Sequence, residues 1–149
     1  MSEYVKNNLK LIGKNQEDLK VISAYSQDSI VAAKDMIFLE KNRIFIMVVN
    51  RFMWEGIEKG AYRQSQRIRC AIKFEEVLEV KSKKINQKNR NKCLECLAIK
   101  SNENLGKNYE IKIFFAGEAI ITLISESIEV TMKDLGTSWD VKHIPKHKF

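Results

Sequence analysis

The chain has 149 residues, 44% hydrophobic and 30% charged, a balance that fits one ordinary globular domain and excludes a disordered chain. Lysine and arginine number 26 against 19 aspartates and glutamates, and the resulting net charge of +7 favours anionic partners while also serving solubility. The first eight residues lack the apolar core of a secretory signal, no run reaches the ~18 apolar residues of a membrane span, and an odd count of three cysteines argues against a disulfide framework, so a cytoplasmic protein with free thiols is expected.

Leu9, Lys10, Leu11 and Ile12 form a short β-like opening closed by Gly13. Asn15 can accept from the free amides of a first helical turn that carries Glu17 and Asp18, which predicts a helix over 16–26 burying Leu19, Ile22 and Tyr25. Residues 29–39 are strand-like with a kink or bulge at 32–35, and the polar turn 40–43 should fold them into a hairpin with 44–52. The run 44–49 is apolar on both faces, as in a central strand whose outer side is covered by a helix. Residues 56–66, with Gly56 and Gly60, read as a loop or a single helical turn.

Alternation then returns, with Ile68, Cys70, Ile72 and Phe74 on one side and Arg67, Arg69, Ala71 and Lys73 on the other, a half-buried strand with a basic outer face. Val77, Leu78 and Val80 belong to a further strand, residues 81–92 form a basic loop, strand character resumes at Leu94, and 101–108 is a connection. Tyr109, Ile111, Ile113 and Phe115 alternate and turn through Ala116 and Gly117 into a strand over 119–124. Ile128, Met132 and Leu135 fall at i, i+4 and i+7 before Gly136 and predict a closing helix, with a strand as the alternative because Ile128, Val130 and Thr131 are β-branched. The expected architecture is a single α+β domain over 1–149, with an ordered core at about 9–136 and an irregular tail at 137–149. Its sheet is mostly antiparallel, or a partly closed barrel, between an early and a C-terminal helix; a pleckstrin-homology-like barrel capped by its last helix fits that order, the early helix less well.

Chemistry is sparse in this pattern. The two histidines, His143 and His147, lie in the last seven residues, and no nucleophile elbow, phosphate loop or metalloprotease motif is present, so no catalytic, cofactor-binding or metal-ligating residue is assigned. Cys93 and Cys96 have the spelling of a metal or redox pair, but three residues apart on a strand they face opposite ways and read as buried apolar groups. The 81–92 loop offers Lys83, Lys84, Lys88 and Arg90 to phosphates, and Arg67 and Arg69 on the same face would extend that surface. It has no interleaved aromatics for base stacking, so a solvated loop is the preferred reading over a nucleic-acid site.

The cluster Asn50, Arg51, Phe52, Met53, Trp54 and Glu55 is the best candidate for a binding edge, because arginine and tryptophan supply hot spots through bidentate hydrogen bonding and aromatic burial. The same residues serve equally well as scaffold, with Arg51 paired to an acid and Phe52 and Trp54 covering the core; Asp134 and Trp139 carry the same two readings.

Leu11-Ile12, Glu17-Asp18-Leu19, Ser23-Ala24, Gln27-Asp28, Asn50-Arg51-Phe52 and Trp54-Glu55, and later Phe115-Ala116-Gly117, Ile128-Glu129, Asp134-Leu135-Gly136, Trp139 and the 145–147 ending, form a combination spread over about 9–147. In these residues the chain resembles a small alphaproteobacterial family known as a domain of unknown function. The chain departs from that pattern in its many lysines and asparagines and in its long basic loop. The resemblance implies a bacterial cytoplasmic protein and supplies no activity. The function expected is therefore a non-enzymatic binding or interaction domain for a protein or small ligand, presenting Asn50, Arg51, Trp54 and Glu55. The alternatives are a nucleic-acid-associated basic protein and a small enzyme built on Glu55 or Asp134; homo-oligomerisation through a sheet edge stays open.

Overall fold

A computed structural model describes residues 9–54, 66–104 and 106–140, with the side chains of 103, 104 and 137–140 left undescribed. The elements in chain order are β1 (Lys10–Gly13), α1 (Gln16–Ser26), β2 (Ile30–Ala32), β3 (Met36–Leu39), β4 (Ile44–Phe52), β5 (Gln66–Phe74), β6 (Val77–Lys83), β7 (Cys93–Asn104), β8 (Asn108–Phe115), β9 (Ala119–Ser125) and β10 (Val130–Asp140). Asn15 caps α1 as its residue type predicts, its side chain accepting from the Asp18 amide at 2.8 Å. The kink expected at 32–35 is a 3₁₀ turn over Ala33–Asp35 that separates β2 from β3. A second 3₁₀ turn at Glu40–Asn42, closed by Arg43 at φ 58°, makes the β3–β4 hairpin.

All strand pairs are antiparallel, and the ladder runs β1-β10-β5-β4-β2-β7-β8-β9-β6, with β3 on β4. The sheet is α+β in class and is not closed: β1 and β6 stand at opposite ends of the ladder. Two short connections, 75–76 and 126–129, carry the chain from one half of the ladder to the other, so the halves fold over a common core. Phe45, Met47, Cys70, Ile72 and Met132 from one half meet Ile99, Ile111, Ile113 and Leu123 from the other, with Leu19 and Ile22 of α1 in the same cluster.

Four expectations are corrected. Residues 130–140 form β10 and no closing helix, which also removes the capping element of the pleckstrin-homology-like barrel. The reason is that Val130, Met132 and Asp134 alternate into the core and pair across β5 with Phe74, Ile72 and Cys70, a period of two that outweighs the i, i+4, i+7 spacing. β10 also continues past Gly136 into the segment read as an irregular tail, and β7 runs on to Asn104 through half of the expected 101–108 connection. Finally, among the described residues no helix covers the outer side of β4, because α1 packs on the core side. Glu55, residues 56–65 of the expected loop or helical turn, His143 and His147 lie outside the described residues, as does the side chain of Trp139.

Candidate functional site

β4 alternates along its length, and that alternation places Arg51 on the same inward side as Phe45, Met47 and Val49. A guanidinium cannot give up its charge to escape burial, so the interior must answer it. Asp134 does so from β10: Arg51 Nε donates to Oδ1 at 2.8 Å and Nη2 to Oδ2 at 2.9 Å, a bidentate fork with both side chains fully sealed from solvent. Nη1 donates to the Phe52 carbonyl at 3.3 Å, the Leu9 amide donates to Asp134 Oδ2 at 2.8 Å, and the Tyr25 ring lies 5.8 Å from the guanidinium carbon. The pair therefore ties β4, β10, α1 and the start of β1 together. The role expected of Arg51 and Asp134 at a partner-facing tip is replaced by an internal one. Asp134 is equally unsuited to acid–base work, since both of its oxygens are occupied and out of reach of solvent.

The opposite face of the same strand ends carries a second buried charge. Arg67, expected on an exposed basic face, is buried at the start of β5, where Nη1 donates to the Asn50 carbonyl at 2.8 Å and both Nη1 and Nη2 reach the Asp28 carbonyl at 3.4 Å. Burial holds its pKa below the ordinary arginine range, opposed by the nearby charges of Asp28 and Glu95. Its guanidinium lies 5.9 Å from the Phe52 ring, and Phe52 meets the half-buried Trp54 edge-on at 4.6 Å. Trp54 Nε1 donates to the Gln27 carbonyl at 2.9 Å, so the indole's polar end is engaged within the fold. Asn50 is half-buried beside them, its Oδ1 without a hydrogen-bond partner among the described residues.

Residue types alone carry little warning of the buried acids here. Asp28 sits at φ 65°, and Glu95, in register with Ile30, is sealed although its strand reads as apolar. A lone carboxylate inside the run Leu94-Glu95-Cys96-Leu97 is the one available signal, since only a nearby cation makes its burial tolerable.

The basic residues do not assemble into one surface. Arg67 is interior and Arg69 exposed on β5, whereas Lys83, Lys84, Lys88 and Arg90 belong to the end of β6 and the loop after it, in the other half of the ladder. Arg90 is committed to the fold, donating through Nη2 to the carbonyls of Ala33 at 2.9 Å and Met36 at 3.4 Å, and Lys84 pairs with Glu118 at 2.7 Å. The thiols are also occupied by packing. Burial first, then the Asp134 charge, pushes Cys70 up from 9.0 to about 12. Burial likewise raises Cys96 to about 12, against a hydrogen bond with Ser26. No group of three or more metal-ligating side chains occurs among the described residues. A shallow cavity of about 300 Å³ lies between α1 and β7 over Leu19 and Ile99, with Lys20 at its rim held by Glu17 at 3.3 Å.

Among the described residues, the outer face of one half of the sheet leaves aliphatic side chains open to solvent. In register across it run Ile37, Ile46, Lys73, Thr131 and Ile12, then Val48, Ala71, Lys133 and Lys10, with Leu39 opposite Ile44 at one end and Arg69 opposite Leu135 at the other. Ile12 is 57% exposed, Ile37 52%, and Leu39 and Leu135 38% each, while Ile44, Ile46 and Val48 are half-buried.

The model of the family described as "Protein of unknown function (DUF2948)" matches residues 9–147, and the chain belongs to that family. No curated protein and no solved structure matches it. Among the described residues no helix is long and apolar enough to cross a membrane.

Proposed function

We propose that this member of the family is a non-enzymatic interaction domain of the bacterial cytoplasm, and that it meets its partner with the outer face of β3, β4, β5 and β10. The observation that carries this reading is the row of aliphatic side chains left in solvent on that face, above all Ile37 at 52% exposed beside Ile46. An apolar sheet face is ordinarily covered by a second layer, and α1 is spent on the core side. The reactive groups of the described residues support a non-catalytic role, since Asp134 is held by Arg51 and both buried thiols are kept protonated. Three free cysteines and the resemblance to alphaproteobacterial proteins support the cytoplasmic setting.

A photo-reactive residue placed at position 37 tests the reading in cells. A discrete cross-linked adduct at position 37, absent when the same group stands at the exposed Ser82 of β6, is the expected result. Identical adduct patterns from the two positions would contradict it.

A further inference from the structure

The outer face just described is not uniform, and its asymmetry points to the chemistry of what covers it. Along β3 and β4 it is a ridge of Ile37, Leu39, Ile44, Ile46 and Val48. Along β5, β10 and β1 the same rows carry cations: Lys73 opposite Ile46 in a row that runs on to Thr131 and Ile12, Lys133 opposite Ala71, Lys10 opposite Lys133, and Arg69 between Asn50 and Leu135. Lys73 shares its charge with Glu75 at 3.7 Å, whereas Lys10, Arg69 and Lys133 have no ion pair among the described residues. We infer that this face docks an amphipathic helix of a partner protein, its apolar stripe on the β3–β4 ridge and its flank of carboxylates over the cations of β5 and β10. The inference rests on the interaction-domain reading above and names the partner's chemistry.

Dimensions agree with that occupant. Neighbouring strands lie about 4.8 Å apart, so β4 and β10, separated by β5, stand about 10 Å apart, close to the width of one helix with its side chains. A helix lying along β4 reaches about 5–6 Å to either side, so it covers β3 and brings one flank over Lys73, Ala71 and Arg69 of β5, while Lys133 on β10 can extend its own long side chain to that flank. A second copy of this chain suits the face poorly, because an isologous contact brings the same patch together from both subunits and would set Lys10, Arg69, Lys73 and Lys133 against like cations or the aliphatic ridge. A bilayer suits it less than a helix does, because among the described residues the exposed apolar side chains on the face are Ile and Leu, without the tryptophan or tyrosine that anchors at a membrane interface.

The test uses the full chain, isotope-labelled, and two synthetic peptides of about five helical turns that share one leucine stripe and differ in flanks of glutamate or lysine. The glutamate peptide is expected to bind at least about tenfold tighter than the lysine peptide, to weaken as salt rises from about 0.05 to 0.5 M, and to shift amides of β3, β4, β5 and β10. The exposed changes Arg69→Glu and Lys133→Glu, with the circular dichroism spectrum unchanged, are expected to remove that preference. Equal binding of both peptides would overturn the inference, as would no binding at millimolar concentration, shifts confined to other elements, or co-sedimentation with phosphatidylglycerol vesicles by a chain that ignores the peptides. The cross-link at position 37 separates the two levels: an adduct there together with equal peptide binding leaves the docking face standing and removes the acidic partner.

Discussion

At the scale of single residues, the fold treats polar groups in two ways. Arg51 and Asp134 are drawn inside and answered by each other, while Lys10, Arg69 and Lys133 stay in water. The sequence left Arg51 open between scaffold and contact because the strand's register decides it: a shift of one position would have turned Arg51 outward with Phe45, Met47 and Val49 and sent Ile46 and Val48 inward. The pairing of Arg51 with an acid was readable from residue type, but the identity of Asp134 was not, since β4 and β10 meet only through the tertiary arrangement around β5. The thiols make a pH prediction at the same scale. Cys70 and Cys96 are raised from 9.0 to about 12 in the folded chain, so above about pH 9 the unfolded state loses their protons and the native state does not. Stability contributed by these protonated thiols is thus full below that pH and falls as pH rises, by about 1.4 kcal/mol per pH unit for each thiol until the folded value is reached. Urea unfolding followed between pH 8 and pH 11 should show that slope, reduced in Cys96→Ala; an equal slope in the variant would contradict the assignment.

At the scale of elements, local signals served well where they were dense. Asn15, Glu17 and Asp18 placed α1 because cap, dipole and apolar spacing agree, and the β8–β9 hairpin followed from alternation around Ala116 and Gly117. Asn15→Ala should therefore cost about 1 kcal/mol, read as a lower urea midpoint at unchanged slope; a midpoint equal to that of the parent chain would mean that the cap contributes nothing. β10 is ambiguous in the sequence because Ile128, Met132 and Leu135 match a helix while Val130, Met132 and Asp134 match the alternative strand, and the neighbouring ladder, invisible in the sequence, settles the choice. The outer side of β4 shows the opposite limit. Its apolar residues were legible as needing cover, but the sequence could not say that the one described helix would be used on the core side.

At the scale of the whole molecule, the arrangement divides labour between an interior that consumes its charged cluster and an outer face that leaves aliphatic side chains to solvent. A residue in the first group should be indispensable to folding, because removing one partner of a buried ion pair strands the other, at about 3–5 kcal/mol, a large share of the stability of a domain this size. A residue in the second should be dispensable to folding and needed only for the partner. Denaturant unfolding of Arg51→Ala beside Ile37→Thr puts that division to a direct test. The account predicts that Arg51→Ala loses most of its stability or fails to fold, while Ile37→Thr, which keeps a β-branched side chain on an exposed position, stays within about 0.5 kcal/mol of the parent chain. An Arg51→Ala protein as stable as its parent, or an Ile37→Thr protein that unfolds, would contradict it.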